Sequence, residues 1–164
     1  NSQGRYDEAE TAYRDVLATR TRVLGTEHPD TLHTRHNLAL ILNSQGRYDE
    51  AETAYRDVLA TRTRVLGTEH PDTLKTRHGL AVVLDNQGRY NEAETAYRDV
   101  LATQTRVLGT EHPDTLNTRH GLAAVLDKQG RHDEYHKMLP SARGRSMRPT
   151  TEGGTGPEQA GAPT

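Results

Sequence analysis

Residues 4–45 read GRYDEAETAYRDVLATRTRVLGTEHPDTLHTRHNLALILNSQ, and two close copies of that string follow. The register is set by glycines: Gly4, Gly46, Gly88 and Gly130 each open Gly-Arg-(Tyr/His), every one 42 residues after the last. A fixed period of this size means a stacked array, in which no unit buries its apolar face alone and each is completed by its neighbours. Arrays of this kind usually present surfaces to partners, so the repeat bounds the class of function before any motif is read.

Each unit reads as two helices. The first starts at His28-Pro29-Asp30-Thr31 and its copies at His70 and His112. Proline suits the first helical position, where its missing N–H would be unpaired anyway, and Asp favours the positive helix terminus. Leu32, Leu38, Ala39 and Leu42 then share one stripe, and the helix stops near Asn43-Ser44-Gln45-Gly46. The second helix starts around Tyr48 and carries Tyr48, Ala51, Tyr55, Val58, Leu59, Arg62 and Leu66 on one face. Asp49, Glu50 and Glu52 sit early in it and Arg62 and Arg64 late, which complements the helix dipole; Glu52 and Arg56 form an i,i+4 pair. Gly67 closes it. Short turns between long helices make neighbours antiparallel, so the fold expected is all-α, a solenoid of helix hairpins.

Composition fits. The chain has 164 residues, 27% of them charged, a formal net charge of −2 and a mean hydropathy that offers no membrane-spanning stretch. A near-neutral balance lacks the basic stripe of a nucleic-acid surface. Without cysteine there are no disulfides or thiolate metal sites, which leans the expected location to the cytoplasm. Phe and Trp are absent, a supply that suits a thin array better than one globular core. Asn1-Ser2-Gln3 matches Asn43-Ser44-Gln45, so the chain reads as a fragment opening inside a repeat.

Leu38-Ala39 before Leu42, Gly46 at the turn, then Ala51 and Tyr55 resemble the spacing of small and large residues in tetratricopeptide repeats. The LG-x-x-HPDT-L…LA…QGRYDEAE string, at 42 residues per unit, is similar to the longer variety typified by kinesin light chains. That variety is also common in large bacterial proteins, often after a nucleotide-binding signalling module. The resemblance covers residues 1 to about 139. It implies a right-handed superhelix whose first helices line a concave groove for extended peptides or protein segments, with the chain as the sensor or adaptor part of a larger protein.

The copies differ mainly on the first helix: His33/Lys75/Asn117, Asn37/Gly79, Leu40/Val82/Ala124, Ile41/Val83, Asn43/Asp85 and Ser44/Asn86/Lys128. Positions 33, 37, 40, 43 and 44 fall on the stripe opposite Leu38 and Leu42, which in the family faces the groove. The groove expected on that basis is lined by His33, His36, Asn37, Leu40, Asn43, Lys75, His78, Val82, Asp85, Asn117, His120, Ala124 and Asp127, a mixed polar surface suited to a protein or peptide. One departure stands out. Kinesin-light-chain repeats tend to carry paired asparagines before Leu-Ala that clamp a bound peptide's backbone, whereas here the pairs are His36-Asn37, His78-Gly79 and His120-Gly121. Gly79 and Gly121 therefore allow a close approach, by a ligand or by the neighbouring helix.

No catalytic constellation is legible, and no enzyme activity, cofactor or metal is expected. There is no phosphate-binding G-x-x-x-x-G-K-S/T loop and no G-x-S-x-G serine. His36, His78 and His120 recur once per unit, too far apart to share an ion. His132-Asp133-Glu134-Tyr135-His136 superficially resembles a zinc helix, but Asp133-Glu134 are the Asp7-Glu8 and Asp49-Glu50 of earlier copies. His28, His70 and His112 are expected to cap helices or pack on turns.

The domain organisation expected is an array over 1–139 and a tail over 140–164. The array begins with an orphan second helix at 4–25 and ends with a degenerate helix at 130–139. The tail is too polar to offset its ordering entropy and is expected to be disordered. The orphan helix leaves an apolar contact uncovered, so self-association at the N-terminal end, by end-to-end stacking, is the competing expectation.

Overall fold

The computed structural model describes residues 2–138; the expected tail lies outside them. Among the described residues seven helices follow one another: α1 (Ser2–Leu24), α2 (Pro29–Ser44), α3 (Tyr48–Leu66), α4 (Pro71–Asn86), α5 (Tyr90–Val107), α6 (Pro113–Lys128) and α7 (His132–Met138). The opening helix was expected over 4–25 and the last over 130–139, of which residue 139 lies outside the described residues.

Each start and stop has a local cause. At the N-termini of α2, α4 and α6 the backbone N–H of Asp30, Asp72 and Asp114 donates to Nδ1 of His28, His70 and His112, at 3.2, 3.1 and 3.1 Å. An imidazole here does the work usually given to Ser or Asp, and the proline behind it loses nothing. At the other end Gly46 has φ +77°, the N–H of Arg47 donates to the Leu42 carbonyl, and that of Gly46 to Asn43. This pair of bonds satisfies carbonyls that helix termination would orphan, and the left-handed backbone it needs is free only for glycine.

Consecutive helices pack antiparallel all along the chain, and among non-consecutive pairs only α2 with α4 and α4 with α6 touch. The first helices of the units therefore stand side by side, while α1, α3, α5 and α7 are spread apart on the outside. Closer spacing on one row than on the other curves the array, with α2, α4 and α6 on its concave face. Between the rows runs one continuous apolar seam, including Ala39, Leu42, Ala51, Tyr55, Leu80, Leu84, Ala93, Tyr97, Leu122 and Leu126. Leu38 and Leu59 pack partly buried against it, whereas Thr31, Thr34 and Ile41 are buried in addition to the stripe expected for α2.

Polar ladders tie unit to unit. Arg47 reaches back to Glu10 at 2.8 Å, Arg89 to Glu52 at 2.9 Å and Arg131 to Glu94 at 2.6 Å. Gln45 and Gln87 donate to the same glutamates and to Asp7 and Asp49. Burial on its own would raise the Glu52 carboxyl, but the hydrogen bonds from Gln87, Arg56 and Arg89 bring it down to about 2.

Candidate functional site

The concave face carries a cleft of about 240 Å³ that runs from α2 across α4 to α6. Its lining gathers His36, Leu40 and Asn43 from α2, Lys75, His78 and Val82 from α4 and Asn117 from α6, all at positions singled out by their variation or recurrence. Tyr55, Gly79, Gln104 and Asp114 complete it. Leu40 and Lys75 are exposed at the rim, and the Lys75 ammonium stands 4.0 Å from the Asp114 carboxylate.

The other expected groove residues lie elsewhere. His33, His120 and Ala124 are exposed away from the cleft, and Asp127 meets His132 at 3.0 Å. Asp85 is taken up by the Lys128 ammonium at 2.7 and 2.8 Å. Asn37 is half-buried and donates to the Tyr13 hydroxyl at 3.5 Å, so position 37 faces the preceding helix rather than the open groove. Its counterparts show why two units carry glycine there. A Cβ on Gly79 would meet Tyr55 ring carbons at 2.7 Å, and one on Gly121 would meet Tyr97 at 2.6 Å. The close approach is made by a neighbouring tyrosine.

His36 and His78 serve the fold as well as the cleft. The Thr76 hydroxyl donates to the Asp72 carbonyl at 3.0 Å, which leaves its lone pairs to accept from Nδ1–H of His36 at 3.4 Å. The His36 ring also meets the edge of Tyr55, centroids 5.2 Å apart. One unit on, His78 likewise meets a threonine, Thr118 at 2.9 Å, and the edge of Tyr97 at 5.6 Å, but the Thr118 hydroxyl makes no bond to the Asp114 carbonyl. Burial, helped by the nearby Arg62 charge, pulls His36 down to about 4, and burial lowers His78 too. Both present neutral imidazoles to the cleft.

Beneath them lies a row of which sequence reading singled out Arg62 alone, on the packed face of its helix and among the late charges that complement the helix dipole. Arg62 is 3% exposed, and its Nη1 donates to the Asp72 carbonyl at 2.9 Å and the Thr76 hydroxyl at 2.8 Å. Arg20 makes the same two bonds to Asp30 and Thr34. The third unit carries Gln104 in that place. This substitution sits on a second helix, where the copies otherwise agree closely, and the break in agreement is the signal that would have found it.

Chemically the cleft offers hydrogen-bond donors and acceptors around an apolar wall. Among the described residues no group of three or more His, Cys, Asp or Glu side chains comes together to hold a metal ion, and no helix is long and apolar enough to cross a membrane.

A model of the tetratricopeptide repeat family matches residues 1–64, 34–104 and 83–134. The chain belongs to that family, whose members are in general protein–protein interaction modules. Its array is of the kinesin-light-chain-like kind. A kinesin-light-chain-type protein of P. anserina with nearly identical repeats is 32% identical, with a TM-score of 0.66 over 83% of this chain and 64% of that one. A point variant of the same protein gives 0.68 over the same shares. BtubC from P. vanneervenii, 20% identical, has the same fold, with a TM-score of 0.73 over 96% of this chain and 65% of its own. The chain thus spans about 64% of the length of the P. anserina protein. No curated protein sequence matches it.

Proposed function

We propose that the concave face binds an extended peptide or protein segment, with this array as the adaptor or sensor part of a larger protein. The observation that carries the reading is the cleft across α2, α4 and α6, where the unit-to-unit differences Leu40/Val82 and Lys75/Asn117 meet over an otherwise copied scaffold. At about 240 Å³ it is smaller than the ~300–1,000 Å³ of typical small-molecule sites, and it suits one side chain of a longer ligand. The test is recovery of partners from extract by the wild-type chain and by a Leu40→Glu, Lys75→Glu, Asn117→Ala variant. These side chains are exposed or at the rim, so the variant should melt like the wild type and lose its partners. Undiminished recovery removes the groove from the account.

End-to-end self-stacking is the second reading, and one observation favours it. Val16 on α1 is 43% exposed, whereas its counterparts Val58 and Val100 are 0% and 1% exposed. Against it, the position of Glu10, Glu52 and Glu94 is held by His136 in the last unit, so Arg5 of a second copy would meet an imidazole where the ladder offers a carboxylate. Association at the N-terminal end should therefore stay weak. Light scattering that shows oligomers growing with concentration would put stacking ahead of groove binding.

A further inference from the structure

We infer that the inner end of the cleft receives a guanidinium group, supplied by an arginine of the bound partner; this rests on the groove reading and names the chemistry it selects. The first two units carry their own guanidinium at this place. Arg20 fills it with bonds to the Asp30 carbonyl and Thr34 hydroxyl, and Arg62 with bonds to the Asp72 carbonyl and Thr76 hydroxyl. In the third unit Gln104 is shorter by the Cζ and Nη atoms and does not reach.

Three consequences are visible. The Gln104 side chain is 1% exposed, lines the cleft and holds its Oε1 buried without a partner. The Thr118 hydroxyl, lacking an arginine, has closed on His78 to 2.9 Å, where Thr76 stands 3.4 Å from His36. The Asp114 carbonyl receives neither the arginine bond nor the threonine bond that Asp72 has, and its carboxylate is held only loosely by Lys75 at 4.0 Å.

What remains includes three acceptors, the Gln104 amide oxygen, the Asp114 carbonyl and the Asp114 carboxylate, beside the Gln104 NH2 and the Lys75 ammonium as donors. A buried acceptor without a donor is costly, so the site favours a group rich in N–H. A carboxylate or phosphate would bring more acceptors to it. Guanidinium answers best, because it is planar, offers five N–H donors in a fixed fork and is more weakly hydrated than ammonium. Lys75 is half exposed and free to swing outward as the incoming cation takes over Asp114.

The test is an NMR titration of the full chain with N-acetyl-arginine methylamide, beside its lysine and norleucine analogues. Saturable shifts at the Gln104 side-chain amide are expected with the arginine probe, at least fivefold weaker binding with the lysine probe, and none with norleucine. Gln104→Arg, which restores the residue of the other units, should weaken the arginine probe at least tenfold because its own guanidinium occupies the place. Gln104→Met keeps the length and removes the acceptor, and should weaken it as well; thermal melts confirm that both variants fold. No saturable shift, equal binding of the lysine or norleucine probe, or unchanged affinity in Gln104→Arg overturns the proposal. Because the probes involve no partner, the pocket can fail while groove binding stands, and groove binding can fail while the pocket stands.

Discussion

A methyl group at position 79 would lie 2.7 Å from two ring carbons of Tyr55, a side chain with almost no exposed surface. Helix propensity favours Ala over Gly by about 1 kcal/mol, but overpacking a well-filled site costs about 1–3 kcal/mol, and the Tyr55 ring would have to shift from its place at the wall of the cleft. Gly79→Ala should therefore lose on the order of 1 kcal/mol in urea denaturation; a stabilised variant would show that Tyr55 yields. The glycine was legible as a place of close approach, but its visitor was not, because Tyr55 belongs to the preceding helix and no pattern within one helix points at it. Acid should act through His36. Its folded-state value of about 4 lies below the ordinary 6.5, so the unfolded chain binds the proton first. The stability this neutral imidazole gives is complete above about pH 6.5 and is lost as pH falls toward 4, at most about 3 kcal/mol. Glu52, held at about 2, adds a second loss between its ordinary 4.5 and that value. Melting temperatures from pH 7.5 to 3 should fall in both intervals, and His36→Gln should reduce the upper step. A profile flat between 6.5 and 4 would count against a neutral buried role.

At the scale of the element, start and stop signals were readable because they are local: a histidine and a proline open α2, α4 and α6, and a glycine ends each turn. The second helices were harder. Arg62 was placed on the right face and also counted among the charges that favour its own helix end, yet its guanidinium serves the first turn of the next helix. The ladders were invisible for the same reason, since each joins residues about one period apart. They lead to a graded expectation. Glu52 is largely covered and accepts from Gln87, Arg56 and Arg89, whereas Glu27 pairs with Arg64 on open surface. Glu52→Gln should cost about 1–3 kcal/mol, as for a buried charged hydrogen-bond network, while Glu27→Gln should leave the denaturation midpoint unchanged. Equal effects would mean that the ladder holds nothing the surface pair does not.

For the whole molecule, stability in a stacked array is close to a sum of unit and interface terms. Helices α2 to α6 each have neighbours on both sides; among the described residues α1 packs on α2 alone and α7 on α6 alone. Leu80→Ala should cost about 2–5 kcal/mol through lost burial and the cavity left behind, and Leu17→Ala, in half-covered α1, less. Amide exchange should be slowest around Leu80 and Leu101 and faster in α1. An α1 as protected as the centre would mean that another surface covers it. The architecture was legible because a period needs no knowledge of contacts; the cleft's inner end was overlooked, because the substitution it depends on, Gln104, lies on a second helix, away from the varying first-helix positions. The back-reaching arginine ladder has an evolutionary consequence. Since every rung joins equivalent positions of adjacent units, removing residues 47–88 would bring Arg89 against Glu10 just as Arg47 stands now. The units are close copies in amino-acid sequence, and a gain or loss of one whole period breaks no rung. The gene can therefore lengthen or shorten this array in single steps that each yield a folded protein, and related strains should carry it with different numbers of units.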